Sequence, residues 1–211
     1  MTTADTLPPT RNRSWLTRIG WTLVAILCLG IAAYSARYLL DPPRTPAQAL
    51  GNPLGVPWLV IHVAGAVTAL LVGSFQFLPA LRRGSSPPHR WTGRVYVAGC
   101  LVGGSAGLIL APGSFAGPIA TAGFGILAVL WMAFTLMGAA AAMRGRTTAH
   151  RRWMIRSWAL TLAAVTLRIY LPLVAILGLD FLPWYRAIAF LAWVPNLIAA
   201  ELWLRRKPGP D

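Results

Sequence analysis

Apolar residues gather along this chain into six long blocks, at about 15–40, 57–81, 91–111, 119–143, 153–178 and 187–204. At a rise of ~1.5 Å per residue, each block is long enough for a helix to cross a hydrocarbon core of about 30 Å. The polar breaks between them are short and rich in Pro, Gly or Arg, among them Asp41-Pro-Pro, Gly84-Ser-Ser-Pro-Pro, Ala111-Pro-Gly and Asp180-Phe-Leu-Pro-Trp. Such loops force successive helices to be antiparallel neighbours. The pattern predicts an all-α, six-transmembrane-helix bundle occupying residues 15–204, with both termini on the same side. Residues 1–14, interrupted by Pro8 and Pro9, read as a disordered cytoplasmic tail, and 205–211 as a short basic one. The first block follows a basic start, as a signal peptide would. It exceeds the ~7–15 apolar residues of a signal core and lacks a small-residue cleavage site, so it reads as an uncleaved helix.

Composition strengthens the membrane reading. The chain is 56% hydrophobic and only 11% charged, with a mean hydropathy of +0.60, values outside the range of ordinary soluble domains. A net charge of +14 invites a nucleic-acid reading. The basic residues, however, lie in short runs between apolar blocks, and their distribution follows topology. Fifteen fall on one side of the predicted bundle (Arg11, Arg13, Arg18, Arg82, Arg83, Arg90, Arg94, Arg144, Arg146, Arg151, Arg152, Arg156, Arg205, Arg206, Lys207), against Arg37, Arg44 and Arg186 on the other. The positive-inside rule puts the fifteen in the cytoplasm, against anionic lipid, and leaves no reason to invoke nucleic acid. Cys28 and Cys100 each sit within an apolar block and imply neither a disulfide framework nor a metal site.

The remaining basic residue is Arg168, inside the fifth block. An arginine at that depth costs several kcal/mol or more unless it is paired or hydrated. Glu201 belongs near the other membrane face, while Asp41 and Asp180 lie in loops on the Arg168 side. Asp180, a backbone carbonyl and a bound anionic group are the candidate answers to its charge.

The chain has three histidines, each near a helix end. The connections before the third and fifth blocks look like versions of one another. Arg82-Arg83 leads to His89-Arg-Trp-Thr-Gly-Arg94, and Arg144-Gly-Arg146 leads to His150-Arg-Arg-Trp-Met-Ile-Arg156. Two parallel helical hairpins follow from that repetition, with His89 and His150 at equal depth and able to face one another. Projection at ~100° per residue puts His89, Gly93, Tyr96, Cys100, Gly103 and Gly107 on one face of the third helix. It aligns His62, Ala66, Ala69, Gly73, Gln76 and Ala80 on the second, and His150, Met154, Ser157, Thr161, Ala164 and Arg168 on the fifth. Small stripes of this kind serve close helix packing. They also supply the clearance a flat ligand needs between helices.

Neutral imidazole suits haem iron, and bundle cores commonly hold cofactors between facing helices. His89 and His150 are therefore the candidate axial ligands of a haem b, with Arg82, Arg94 or Arg156 near its propionates. Arg168 lies about 27 Å beyond His150 along a helix, which groups it with His62 as a polar pair at the other membrane face, where a second cofactor or quinol would bind. Three histidines cannot hold two bis-histidine haems unless Met154 or another side chain serves as a ligand. The bland alternative for His89-Arg-Trp is an interfacial anchor, with Trp at the headgroups and Arg on lipid phosphate. There is no dinucleotide or phosphate loop, no zinc-type Cys/His spacing and no carboxylate pair in the sequence.

Several of these residues together carry a resemblance. His62 with Gln76-Phe77, His89-Arg-Trp-Thr-Gly-Arg-Val-Tyr96, Trp131, His150-Arg-Arg-Trp-Met-Ile-Arg156 and Thr166-Leu-Arg168 resemble a bacterial membrane family, domain of unknown function 2306, over roughly residues 57–178. The resemblance implies a small multi-pass protein of the bacterial inner membrane and brings no established activity. The histidine layout is loosely similar to transmembrane b-type cytochromes, although these use four histidines. Two functions follow as expectations: haem-dependent electron transfer, with quinol as partner, or non-enzymatic binding, transport or complex assembly, in which Arg168 and His62 hold an anionic lipid or small amphiphile.

Overall fold

The structure, a computed structural model, describes residues 15–40, 55–76 and 87–206, with side chains from residue 19 onward. The expected tail at 1–14, the Asp41-Pro-Pro and Gly84 loops, and Arg44, Arg82, Arg83 and Lys207 lie outside the described residues. Within them the chain is helical, with no strand. The helices are α1 (Trp15–Leu40), α2 (Gly55–Gln76), α3 (Pro87–Leu110), α4 (Pro118–Met143), α5 (Thr147–Thr161), α6 (Ala163–Ile176), α7 (Phe181–Leu191) and α8 (Val194–Arg206), with one 3-10 turn at Ala111–Gly113. They make six segments long and apolar enough to cross a membrane, because α5–α6 and α7–α8 each form one interrupted span.

Three spans begin earlier than the hydropathy pattern predicts. The third starts at Pro87, the fifth at Thr147 and the sixth at Phe181, so His89 and His150 lie inside the first turns of their helices. Proline suits a first turn, which has no use for its missing N–H. The sixth span also runs on to Arg206, making Arg205 and Arg206 the last turn of α8 rather than part of a tail; two cations there oppose the negative end of the helix dipole. Pro195 explains the interruption in that span, since it has no N–H for the carbonyl four residues back. Trp193 makes a 3-10 type bond to the Phe190 carbonyl instead. Between α4 and α5 the chain reverses at Gly145, whose φ of 69° favours glycine. The Arg146 amide there closes onto the Ala141 carbonyl at 2.9 Å.

The two most extensive pairings are α2 with α3 and α4 with α5, the two hairpins the sequence anticipates. Small residues bring α2 and α3 together: a Cβ on Gly65 would collide with the backbone of Gly103 and Gly99. α4 packs between α3 and α5, α7 against α4, and α8 against α5, while α1 lies mainly on α2 and touches α6 more sparingly. Buried Leu70, Tyr96, Trp131, Trp158 and Leu160 fill the centre, with Cys28 and Cys100 as free thiols that pack as small apolar groups. Exposed Ile26, Val102, Ile126, Leu136 and Ile198 form an apolar outer surface suited to lipid.

Candidate functional site

Two of the three histidines are held in the same manner. His62 Nδ1 lies 2.7 Å from the carbonyl oxygen of Gly103 on α3, and His150 Nδ1 lies 2.8 Å from that of Gly138 on α4. A carbonyl oxygen only accepts, so Nδ1 carries the proton in both rings and the lone pair belongs to Nε2. Glycine is needed at these contacts for space. A Cβ on Gly107, one turn beyond Gly103, would sit 2.8 Å from the His62 ring, and one on Gly138 would sit 2.6 Å from the Met154 sulfur. His89 is half-buried at the start of α3, and its backbone carbonyl accepts from Thr92 Oγ1 at 3.2 Å and Gln76 Nε2 at 3.5 Å.

α3 and α5 meet where their predicted stripes cross. The Tyr96 hydroxyl lies 2.8 Å from both Ser157 Oγ and Thr161 Oγ1. Thr135 Oγ1 lies 2.7 Å from Ser157 Oγ, and Trp131 Nε1 donates to Thr161 Oγ1 at 2.9 Å. These residues form a buried polar knot in which each group has a partner. His89 and His150 each precede that contact by seven residues, so they sit at one level, about 10 Å nearer the Arg-rich end. The His150 ring nevertheless bonds to α4 rather than reaching toward α3. The small faces of α2 and α3 are used up in backbone contact and by the Trp158 indole, which covers Gly73. The flat clearance expected there is closed.

The arginines named in the sequence fall in different surroundings. Arg94 is exposed, 5.3 Å over the Trp91 ring. Arg156 makes a two-pronged ion pair with Glu201, Nε to Oε1 at 2.5 Å and Nη2 to Oε2 at 2.9 Å, and lies 4.7 Å over the Trp153 ring. Arg168 differs from both. It donates to the Ala164 carbonyl of its own helix at 3.1 Å, and among the described residues it has no carboxylate within ion-pair distance. Asp180 does not pair with it.

Arg168 lies within electrostatic range of His62 and of Tyr34, Arg37 and Tyr38 on α1. Arg37 donates through Nη2 to the hydroxyls of Tyr34 at 2.5 Å and Tyr38 at 2.9 Å, with its guanidinium carbon 3.7 Å over the Tyr34 ring. Its buried Nε has no hydrogen-bond partner among the described residues. The bundle thus gathers two cations, two phenols and one imidazole at its Arg-poor end and places no described acid among them. The α1 residues escape a sequence reading because tyrosine beside arginine at a helix end looks like an interfacial belt. Their spacing, Tyr34, Arg37 and Tyr38, is the available signal. Nearby, Arg186 is occupied with the Ala116 carbonyl at 2.8 Å.

Among the described residues two cavities bear on the site. One of about 290 Å³ is wholly apolar and opens on the surface of α3 and α4 at Leu108, Ile126 and Val129. The other, about 110 Å³, lies where α1 meets the interrupted spans and is lined by Val24, Leu27, Leu162, Val165, Thr166 and Asn196. Asn196 Nδ2 donates to Thr166 Oγ1 at 2.9 Å; neither residue stands out in the sequence as part of a site. Neither cavity touches His89 or His150. Among the described residues no three of His, Cys, Asp or Glu gather as a metal site.

Against known proteins, the family model described as "Predicted membrane protein (DUF2306)" matches residues 59–204. The match takes in every helix from α2 to α8 and leaves α1 outside it. No curated protein matches, and no solved structure does.

Proposed function

The chain belongs to the DUF2306 family of predicted membrane proteins, and from that footing we propose that it is a non-enzymatic, multi-pass protein of the bacterial inner membrane that holds an anionic small molecule within the bilayer at Arg168. The observation that carries this reading is a guanidinium inside a span with no described carboxylate to answer it. The single bond to the Ala164 carbonyl uses one of the five N–H donors of the guanidinium, and water or an anion would answer the others. Arg37, Tyr34 and Tyr38 add donors, and His62, pinned through Nδ1 by Gly103, offers Nε2 as an acceptor for a protonated ligand. The positive-inside distribution puts this pocket in the leaflet away from the cytoplasm. The test is mass spectrometry of lipids and small molecules copurifying with the wild-type protein and with Arg168→Gln. An anionic species near one per chain, reduced at least tenfold in a variant that elutes as the wild type does, is the expected result. Identical ligand complements would remove the basis of the reading.

A second reading is favoured by a different observation. His89 and His150 share one level on parallel helices, and the Nδ1–H of His150 is engaged by Gly138, the arrangement that orients an imidazole to ligate through Nε2. A haem b held there would supply a one-electron carrier, with quinol as its partner at the Arg168 end. The packing of α2 against α3 and the knot around Tyr96 leave no slot for such a group in the described arrangement, so the helices would have to part. Reduced-minus-oxidised absorption of protein purified from haem-replete cells decides the matter: sharp bands lost in His150→Ala support it, and colourless protein removes it.

A further inference from the structure

We propose that the seam between α1 and α6 binds a single-chain fatty carboxylate, its head between Arg37 and Arg168 and its chain in the cleft at Val24 and Leu27. This rests on the anion reading given above and names the ligand class and the part of the protein that selects it. Three separate features of the structure converge on the seam. The buried Nε–H of Arg37 has no partner among the described residues; among those residues Arg168 has none beyond its own backbone; and the 110 Å³ cleft lies between Val24 and Leu27 of α1 on one side and Leu162, Val165 and Thr166 on the other, with Asn196 of α8 completing it.

Helical spacing makes these features one site. Leu27, Tyr34 and Tyr38 repeat at intervals of seven and four residues on one face of α1, and the Arg37 guanidinium turns to that face to donate to both hydroxyls; on α6, Val165 and Arg168 stand three residues apart on one face. From Leu27 to Arg37 the seam rises about 15 Å, the reach of an extended alkyl chain rather than of a small soluble anion. A carboxylate fits the head position. One oxygen takes the Arg37 Nε–H, the other meets the guanidinium of Arg168, and the hydroxyls of Tyr34 and Tyr38, which accept from Arg37, keep their own O–H groups to donate. The cleft is narrow and mostly apolar, with room for part of one chain and none for a second. At its floor the Thr166–Asn196 pair is internally satisfied and makes no demand on the chain end. The seam is also loosely held, since α1 touches α6 sparingly. A ligand dissolved in the bilayer reaches it sideways.

The experiment uses the full chain in nanodiscs of zwitterionic phosphatidylcholine and measures saturable binding of radiolabelled palmitate over empty discs. Unlabelled hexanoate, palmitate and dodecyl phosphate serve as competitors. The proposal expects palmitate to bind, hexanoate to compete at least tenfold more weakly, and Arg37→Gln and Arg168→Gln each to weaken palmitate at least tenfold. Leu27→Trp, which fills the cleft, should weaken palmitate at least tenfold and bring it level with hexanoate; Leu29→Trp, at an exposed position of α1 outside the cleft, should retain binding and controls for the added indole. Binding that depends on Arg168 but ignores chain length and Leu27→Trp overturns the seam while the anion reading stands. Tighter competition by dodecyl phosphate than by palmitate overturns the carboxylate assignment. No saturable binding, together with unchanged copurifying ligands in Arg168→Gln, overturns both.

Discussion

At the scale of single residues, the strongest constraints are places where a side chain has no room. A methyl group on Gly65 would meet the Cα of Gly103 and the carbonyl oxygen of Gly99, each at 2.7 Å. Backbone cannot rotate away as a side chain can, so α2 and α3 must separate. Gly65→Ala is therefore expected to destabilise the protein by about 1–3 kcal/mol, seen as a lower midpoint of thermal unfolding in detergent. Gly20→Ala, where a Cβ meets nothing within 4 Å, should leave the midpoint unchanged or raise it slightly. An equal response at both positions would mean that α2 and α3 do not pack as closely as described. Sequence reveals such glycines as a stripe without saying which are in contact. It reveals Arg168 and the histidines better, because a charged or titratable residue in an apolar block is conspicuous whatever surrounds it. Thr135 and Asn196 pass unnoticed for the opposite reason: a lone Thr or Asn in a membrane helix is common, and its importance depends on partners that only the packed bundle supplies. Arg156 is conspicuous in sequence and its partner is not, since Glu201, 45 residues on, takes both prongs of its guanidinium.

Among the elements, the number and order of spans follow from hydropathy, and their ends do not. Hydropathy changes where the chain passes from lipid to headgroup, whereas backbone hydrogen bonding continues through that boundary. This is why Pro87–Arg90, Thr147–Arg152 and Phe181–Arg186 are helical although their polar or proline residues had read as loops. The two interrupted spans were equally hidden, because a break between Thr161 and Ala163 leaves the run of apolar residues intact. The predicted pairing of hairpins was legible, since repeated sequence before α3 and α5 implies repeated structure, and Tyr96 does meet Ser157 at matching positions. What repetition could not give was the direction of each ring. His150 turns to α4 because the Gly138 carbonyl offers an acceptor beside a residue without a side chain. α1 has a separate standing. It lies outside the residues that carry the family match, yet it brings Tyr34, Arg37 and Tyr38 to the Arg168 end and Val24 and Leu27 to the cleft. The residues of the family match thus hold one cation of the proposed site, and α1 adds the second together with one wall.

For the whole molecule, the asymmetry of charge predicts an orientation. Fifteen basic residues against three are an orientation signal, and the positive-inside rule then predicts that the ligand proposed for the His62–Arg168–Arg37 group would enter from the leaflet away from the cytoplasm. The protein suits a direct test, since its two native thiols, Cys28 and Cys100, are both at 0% exposure and leave a clean background for labelling. Two exposed positions report the two sides: Leu179, in the turn before α7, and Thr147, after the Gly145 turn. A membrane-impermeant maleimide added to intact spheroplasts should label Leu179→Cys at once and Thr147→Cys only after lysis. The inverse pattern would put the Arg-rich end outside, against the positive-inside rule, and would move the Arg168 group into the cytoplasmic leaflet. The chemistry of the pocket would survive that inversion, because two guanidiniums select an anion on either side. The route to it would change, since the proposed ligand would then enter from the cytoplasmic leaflet.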